Sequence, residues 1–367
     1  MNSKYEKSSN NELIRYGFNV LKKDFLIFIG RNLSYCFNAP YTINVVLTRS
    51  CNARCIMCNS WKDHRSNELD ISQWKKIIQD LRSWIGPHRI SFSGGEPFLK
   101  EGFLELLKYC SDRKIRPTVL TNGSFFDENR IPRILDSGVA NVIFSLYSKD
   151  PGVHDRYKGI PGLHQKVVSA IRMIKQSRKP VRVGVLCVVT KDNYNTLSDF
   201  SDWVQGLGID SIDFGPIRDA LNPEGHALFS SVASPSNPLW QVGQPELLDQ
   251  QIDLLLSKKK AGYPIVTPAS DLISFKSYFR GPSELPSKGS CEIGFRNLII
   301  MPDGDIMFCF YYPPIGNIRN GTIRKTWYSS EAQKQRKILL HCMKPCVSGC
   351  LREFSLRDKI FQFFHES

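Results

Sequence analysis

The chain has 367 residues, enough for one large domain with its own core and a smaller appendage. A composition of 41% hydrophobic and 23% charged residues argues against intrinsic disorder. The longest apolar run near the N-terminus, Phe25 to Ile29, is too short to span a bilayer, so the sequence reads as a cytoplasmic protein.

A net charge of +14 favours an acidic partner: nucleic acid, an anionic membrane surface, a phosphorylated substrate or an acidic electron carrier. Residues 1–40 form an N-terminal extension with one expected helix, Glu12 to Tyr35. Its Leu13, Val20, Leu21, Phe25 and Phe28 share an apolar side, suited to packing on the main body or to a peripheral membrane contact. In the first domain, 41–240, residues 42 to 215 alternate between short β-rich runs and helical patterns, as in a parallel sheet of βα units. The predicted strands are Thr42–Thr48, Arg89–Ser93, Arg116–Thr121, Asn141–Leu146, Val181–Thr190 and Ser211–Gly215. The predicted helices are Ser72–Ile85, Phe103–Arg113, Asn129–Ser137, His164–Gln176 and Asn195–Leu207. Asp70 precedes the periodic Trp74, Ile77, Ile78 and Leu81, and Asp127 precedes Ile131, Ile134 and Leu135, both as helix start signals. Six such units make either an open doubly wound sheet or an incomplete barrel. A Pro-, Ser- and Asn-rich stretch, Pro216 to Pro245, breaks the pattern. A helix at Glu246–Ala261 follows, and then strands, turns and cysteines dominate the second domain, 241–367.

Three of the eleven cysteines fall at 51–58 and five between 291 and 350. Such clustering points to metal rather than a disulfide framework. Cys36, Cys110 and Cys187 stand singly in apolar surroundings and read as small buried hydrophobes, with Cys187 also a candidate catalytic hydrogen donor from the fifth strand. Cys51, Cys55 and Cys58 follow the first strand, at the edge where parallel α/β folds place their chemistry. Three thiolates without a fourth are unusual for structural zinc, where four protein ligands close the tetrahedron. A four-iron cluster held by three cysteines leaves one iron open to bind a substrate or cofactor.

This Cys-x3-Cys-x2-Cys spacing, with Asn52 after the first cysteine and Met57 before the last, resembles the radical S-adenosylmethionine (SAM) superfamily. Ser93-Gly94-Gly95-Glu96-Pro97 after the second strand is similar to the family turn that receives the SAM amino group through Gly94, Gly95 and Glu96. Glycines suit a place where backbone must approach a ligand closely. Asn122, ending the third strand, and Ser145, ending the fourth, resemble family positions near SAM, with Ser145 hydrogen-bonding the cofactor. Lys158 stands where relatives often carry an arginine facing the SAM carboxylate; lysine keeps the charge without the fork geometry. Tyr147 departs from the aspartate often found two residues after the serine in relatives that act on peptides, which argues against a peptide substrate. Tyr147 and His154 are candidates for substrate contact. The resemblance implies a partial (β/α)6 TIM-like barrel and reductive cleavage of SAM to a 5′-deoxyadenosyl radical that abstracts hydrogen from the substrate.

In the second domain, Asp303-Gly304 between Asn297–Met301 and Ile306–Phe310 is a hairpin signal that would bring Cys291 and Cys309 to related positions on a small sheet. With Gly316-Asn317-Ile318, Trp327 and the run Cys342, Cys346, Cys350, the region resembles the auxiliary-cluster domain called SPASM in its longer form and twitch in its shorter one. The resemblance implies a small α+β domain with a second [4Fe–4S] cluster on Cys291, Cys309 and two of Cys342, Cys346 and Cys350; spacing does not say which is spare.

The reading that results is a radical SAM oxidoreductase acting on a small or carrier-linked, sugar-like or lipid-linked metabolite, with oxidation or epimerisation as the outcome. Its electron donor is expected to be acidic, such as flavodoxin or ferredoxin. A peptide-modifying maturase is the enzymatic alternative. A cysteine-rich zinc protein that binds nucleic acid is the alternative of another class; the triad of three speaks against it.

Overall fold

A computed structural model describes residues 24–33, 35–58, 60–63, 67–217, 239–281 and 291–342. Expectations for Leu13, Val20, Leu21, Cys346 and Cys350 lie outside the described residues. Helix α1 (24–33) turns Ile27 inward and anchors beside it through Asp24 to Arg296 and Arg31 to Glu292, both at 3.4 Å. Phe25 and Phe28, expected on the buried side, are 60% and 55% exposed. The ion-paired residues 24 and 31 share a face with residue 27, and that spacing selects the packed side.

The strands β1 (Thr42–Thr48), β2 (Arg89–Gly94), β3 (Arg116–Thr121), β4 (Asn141–Ser145), β5 (Arg182–Val189) and β6 (Ser211–Pro216) pair in parallel, each with the next. The connecting helices are α2 (Ile71–Ile85), α3 (Phe103–Asp112), α4 (Ile131–Asp136), α5 (Pro151–Lys158), α6 (Leu163–Gln176) and α7 (Leu197–Gly206). Helix α2 shows why the pattern folds this way. Asp70 accepts from the Gln73 amide in a capping box, Trp74, Ile77, Ile78 and Leu81 form the buried stripe, and Gly86 ends it with φ 83°.

Alternation along the strands sorts residues between two faces. Ile43, Val45 and Leu47 join the large core under the helices, whereas Val46 packs with Ile299, Met301 and Met307 on the inner face. Register carries that inner face across the sheet: Asn44 stands beside Ser91, Ser91 beside Thr118 and Thr118 beside Asn141. Small polar side chains therefore line the inside of the partial barrel.

After the composition break, α8 (Pro245–Lys260) packs on α7, where Gln251 accepts from the Ser198 amide at 2.9 Å and Lys258 donates to the Ser198 carbonyl at 2.7 Å. The segment 264–267 then runs along β6 and covers its edge, with Ile212 donating to Pro264 at 2.7 Å and Val266 to Ile212 at 2.8 Å. Helix α9 (Ala269–Tyr278) completes this side.

Beyond the short α10 (Ile293–Arg296), β7 (Asn297–Ile300) pairs in parallel with β1, placing Ile43 opposite Leu298 and Val45 opposite Ile300. Strands β8 (Asp305–Met307) and β9 (Gly316–Asn317) follow antiparallel. The hairpin expected on a separate small sheet instead extends the barrel sheet to nine strands, in the order β6-β5-β4-β3-β2-β1-β7-β8-β9. Leu298 and Ile300 continue the buried stripe of β1, so docking there removes an apolar edge from water. Helices α11 (Ile323–Trp327) and α12 (Ser330–Leu340) close the end, with buried Trp327 donating to the Asn38 carbonyl at 2.9 Å. Among the described residues no helix is long and apolar enough to cross a membrane.

Candidate active site

Cys51, Cys55 and Cys58 are free, half-buried thiols on the loop that leaves β1. Helix α5 holds this loop by its backbone: the Arg54 amide donates to the Lys158 carbonyl at 3.0 Å and the Ile56 amide to the Tyr157 carbonyl at 3.1 Å. Carbonyls of a last helical turn have no partner within the helix, so they are available for such pairing. Helix α5 is absent from the predicted elements, although Asp150 as N-cap, Pro151 in the first turn and Gly159 at the C-terminus are start and stop signals.

Two further clamps act from charged residues that sequence reasoning missed. Arg49, almost fully buried, pairs with Asp63 at 3.1 Å and with Asp303 in the turn between β7 and β8, tying the cysteine loop to the second domain. Glu68 accepts from the Arg49 amide at 2.6 Å and the Thr48 hydroxyl at 3.1 Å, while Lys100 pairs with its other oxygen at 3.0 Å. Nothing local marks Arg49 and Asp303 as partners, because 254 residues separate them.

The Gly94-Gly95-Glu96 turn lies directly on the cysteine loop: Gly95 donates to the Thr48 carbonyl and Glu96 to the Ser50 carbonyl, each at 2.8 Å. A Cβ on Gly94 would overlap the Thr48 carbonyl oxygen, and one on Gly95 the Ser50 carbonyl oxygen. The bare glycines thus admit the close approach of the loop's own backbone. The Glu96 side chain is fully buried, accepting from the Thr121 hydroxyl and the Asn122 amide at 2.8 Å each. Burial pushes its carboxyl up to about 7, against the opposing pull of those hydrogen bonds and of Lys158. Asn122 donates from its side chain to Asn52 at 2.9 Å and accepts from the Ser124 amide at 2.8 Å, linking the third strand to the cysteine loop.

Ser145 ends β4 on the inner face, beside Leu186 of β5. Lys158, the last residue of α5, is buried with its ammonium 3.0 Å from the Tyr147 hydroxyl and 4.2 Å from the centre of that ring. Burial opposes its charge, but Tyr147 and the thiols of Cys55 and Cys51 outweigh that and hold Lys158 above the ordinary lysine range. His154 is fully buried and accepts from the Tyr147 amide through Nδ1 at 3.3 Å; burial, then Lys158 and His164, push its imidazole down to about 2, so it stays neutral. That position gives His154 a supporting place behind Tyr147 instead of the expected substrate contact. Cys187 is likewise corrected: it alternates with Val183, Val185 and Val189 in the core under the helices, its thiol 3.6 Å from the Tyr147 carbonyl, facing away from the barrel interior.

The second cysteine region gathers at the other end of the sheet. Cys291 precedes α10 and β7, Cys309 follows β8, and Cys342 follows α12. None of the three is in a disulfide, and all act on Tyr312, whose phenol is pushed above its ordinary range by burial and then by Cys342, Cys309 and Cys291.

The residues at the first site fit a cluster and SAM. Burial raises the Cys51 thiol to about 11, with Cys55 and Cys58 adding to the rise, as expected where several thiols crowd together without a cation. Among the described residues no three His, Cys, Asp or Glu side chains close on one point, as a single-ion zinc site would need. An ammonium and a carboxylate, Lys158 and Glu96, stand within electrostatic reach of each other beside the triad, matching the two charges of an amino acid headgroup.

Comparison with known proteins agrees with this arrangement. Residues 45–204 match the model of the radical SAM superfamily, and residues 291–351 match SPASM, an iron–sulfur cluster-binding domain. The PqqA peptide cyclase of Bradyrhizobium diazoefficiens is 25% identical over 190 residues, 51% of this chain and 49% of that protein. This chain therefore spans about half of that relative's length. The PqqA peptide cyclase of Rhodopseudomonas palustris is 22% identical over 325 residues, covering 86% of this chain and 81% of its own. The crystal structure of Streptococcus suis SuiB bound to precursor peptide SuiA superimposes with a TM-score of 0.63 at 17% identity, covering 95% of this chain and 79% of that one, and so shares the fold. The chain carries a radical SAM domain followed by a SPASM domain, which together imply SAM and [4Fe–4S] clusters as cofactors.

Proposed function

We propose that this protein is a peptide-modifying radical SAM enzyme, in which Cys51, Cys55 and Cys58 hold the SAM-binding cluster and hydrogen is taken from a C–H bond of a peptide inside the barrel. The observation that carries the peptide reading is the likeness to a PqqA peptide cyclase over 86% of the chain, well beyond the barrel alone. It turns the preference away from the small or carrier-linked metabolite suggested by Tyr147. The inner face supports it, because Ser91, Ser93, Thr118 and Ser145 are small and leave space for an extended substrate.

When bound, SAM on the open iron supplies a carbon-centred radical able to take hydrogen from an unactivated C–H bond. The chain's own residues hold and orient it. Cys51, Cys55 and Cys58 would supply three thiolates to a four-iron cluster, leaving one iron without a protein ligand. Lys158 offers its ammonium to the SAM carboxylate and Glu96 its buried carboxylate to the amine. Ser145 is placed to hydrogen-bond the cofactor. The region around Tyr312 holds the auxiliary cluster on Cys291, Cys309, Cys342 and one further cysteine, where it would carry electrons. The net charge of +14 suits an acidic donor such as flavodoxin or ferredoxin.

The test is anaerobic 5′-deoxyadenosine formation by the reconstituted protein with SAM and a strong reductant, beside Cys58→Ala. The wild type forms it and the variant does not. A pool of synthetic peptides raises the rate above the substrate-free level, and a pool of free sugars leaves it unchanged. Stimulation by the sugars alone would overturn the peptide reading.

A further inference from the structure

Lys158 carries three N–H donors on a flexible stem, and its main chain is committed to holding the cysteine loop through Arg54. Among the described residues, the side-chain partner of its ammonium is Tyr147, through both the hydroxyl at 3.0 Å and the ring face at 4.2 Å. We propose that Tyr147 is a positioning residue for Lys158, holding the ammonium toward the cysteine triad so that the SAM carboxylate meets a charge already in place. This inference rests on the radical SAM reading above and adds a residue to its cofactor site.

Tyr147 is itself immobilised on three sides. Its amide donates to His154 at 3.3 Å, its carbonyl accepts from the Asn193 side chain at 2.7 Å, and its ring meets that of Tyr157 edge-on at 6.5 Å. Asn193 is fixed in turn, donating to the Val188 carbonyl at 2.8 Å and accepting from the Thr190 amide at 2.8 Å. The phenol is thus a rigid post between β4 and the end of β5. A carboxylate in the same place would pair with Lys158 and cancel its charge, whereas a neutral phenol holds the ammonium and leaves the charge for a ligand. Orienting the lysine before binding removes its ordering cost from the binding step.

The experiment is equilibrium dialysis of SAM against the reconstituted protein and four variants, Tyr147→Phe, Lys158→Met, their combination, and Cys58→Ala, with thermal melts run alongside. Tyr147→Phe keeps the ring and loses only the hydroxyl; it is expected to weaken SAM binding about tenfold while lowering the melt by no more than a few degrees. In the Lys158→Met background the same substitution has no further effect, since a residue acting through lysine has nothing left to position. Unchanged binding in Tyr147→Phe, or an equal loss with and without Lys158, overturns the inference. If the wild type binds SAM no better than Cys58→Ala, the radical SAM reading fails and the inference falls with it.

Discussion

The two cysteine regions stand at opposite ends of one sheet and are built in opposite ways. The first lies within eight residues of a single loop, pinned by backbone hydrogen bonds to α5 and to the Gly94-Gly95-Glu96 turn. The second draws Cys291, Cys309 and Cys342 from three separate segments around Tyr312. β1 alone, with seven residues, puts roughly 20 Å between the two ends at ~3.3 Å per residue. A local loop with three thiols can present an open iron to a ligand, and a remote site assembled across the domain suits electron storage and structural closure. Separate substitutions should therefore have different consequences. Cys55→Ala is expected to reduce 5′-deoxyadenosine formation to background, whereas Cys309→Ala leaves SAM cleavage in place and stops only the complete reaction. Each should lower bound iron by about four per chain. Equal loss of SAM cleavage in both variants would break the distinction.

Arg49 couples the first cysteine loop to the second domain, since it reaches Asp303 in the hairpin turn. Removing it leaves Asp63 and Asp303 without their buried cation. Arg49→Met should cost about 3–5 kcal/mol, read from urea denaturation. Asp303→Asn, which keeps Arg49 and Asp63 together, should cost distinctly less. A loss below 1 kcal/mol for Arg49→Met would mean that the domains are held by the β1–β7 pairing alone.

What the sequence disclosed follows the same contrast. Alternating strands and capped helices are local, so β1 to β6 and α2 appear in the residue pattern, and the triad and Gly-Gly-Glu-Pro are each contiguous. Contacts that depend on the returning chain are not visible that way. β7 joins β1 across 253 residues, as the hydrogen bond from Asn44 to Asn297 shows. Arg49 is one more surface cation by its sequence neighbours, and only the fold brings Asp303 beside it. The face of Cys187 depends on strand register, which composition does not reveal, and the eight residues of α5 are mostly polar and carry little periodic signal.

Glu96 stands at the triad end, and its titration is a handle on that end. In the cluster-free protein burial raises its carboxyl from 4.5 to about 7. The folded state therefore binds this proton more tightly than the unfolded chain. Its stabilising contribution is complete below pH 4.5 and is lost as pH rises through about 7. Relative to Glu96→Gln, the wild type should lose on the order of 3 kcal/mol between those limits. Urea denaturation at a series of pH values tests this; parallel curves for the two proteins would show that Glu96 does not titrate in that range. The Cys309→Ala protein should retain the wild-type slope.

The smallest effect is expected from glycine at the hairpin. Gly304 has φ 92°, and an added Cβ would meet Ile318 Cγ2 at 2.6 Å and Asn317 Oδ1 at 3.1 Å. Both neighbours are ends of side chains that can shift, so Gly304→Ala should cost about 1–2 kcal/mol from the left-handed backbone, partly offset by a stiffer unfolded chain. At Gly95 the obstruction is the Ser50 carbonyl, part of the cysteine loop's own backbone. Gly95→Ala must move that loop, and SAM cleavage should fall even where the melt changes little. Gly304→Ala should lower the melting temperature by a few degrees and leave 5′-deoxyadenosine formation unchanged. Equal damage to SAM cleavage by the two alanines would show that strain at the hairpin reaches the triad through Asp303 and Arg49, making the turn and the cysteine loop one mechanical unit.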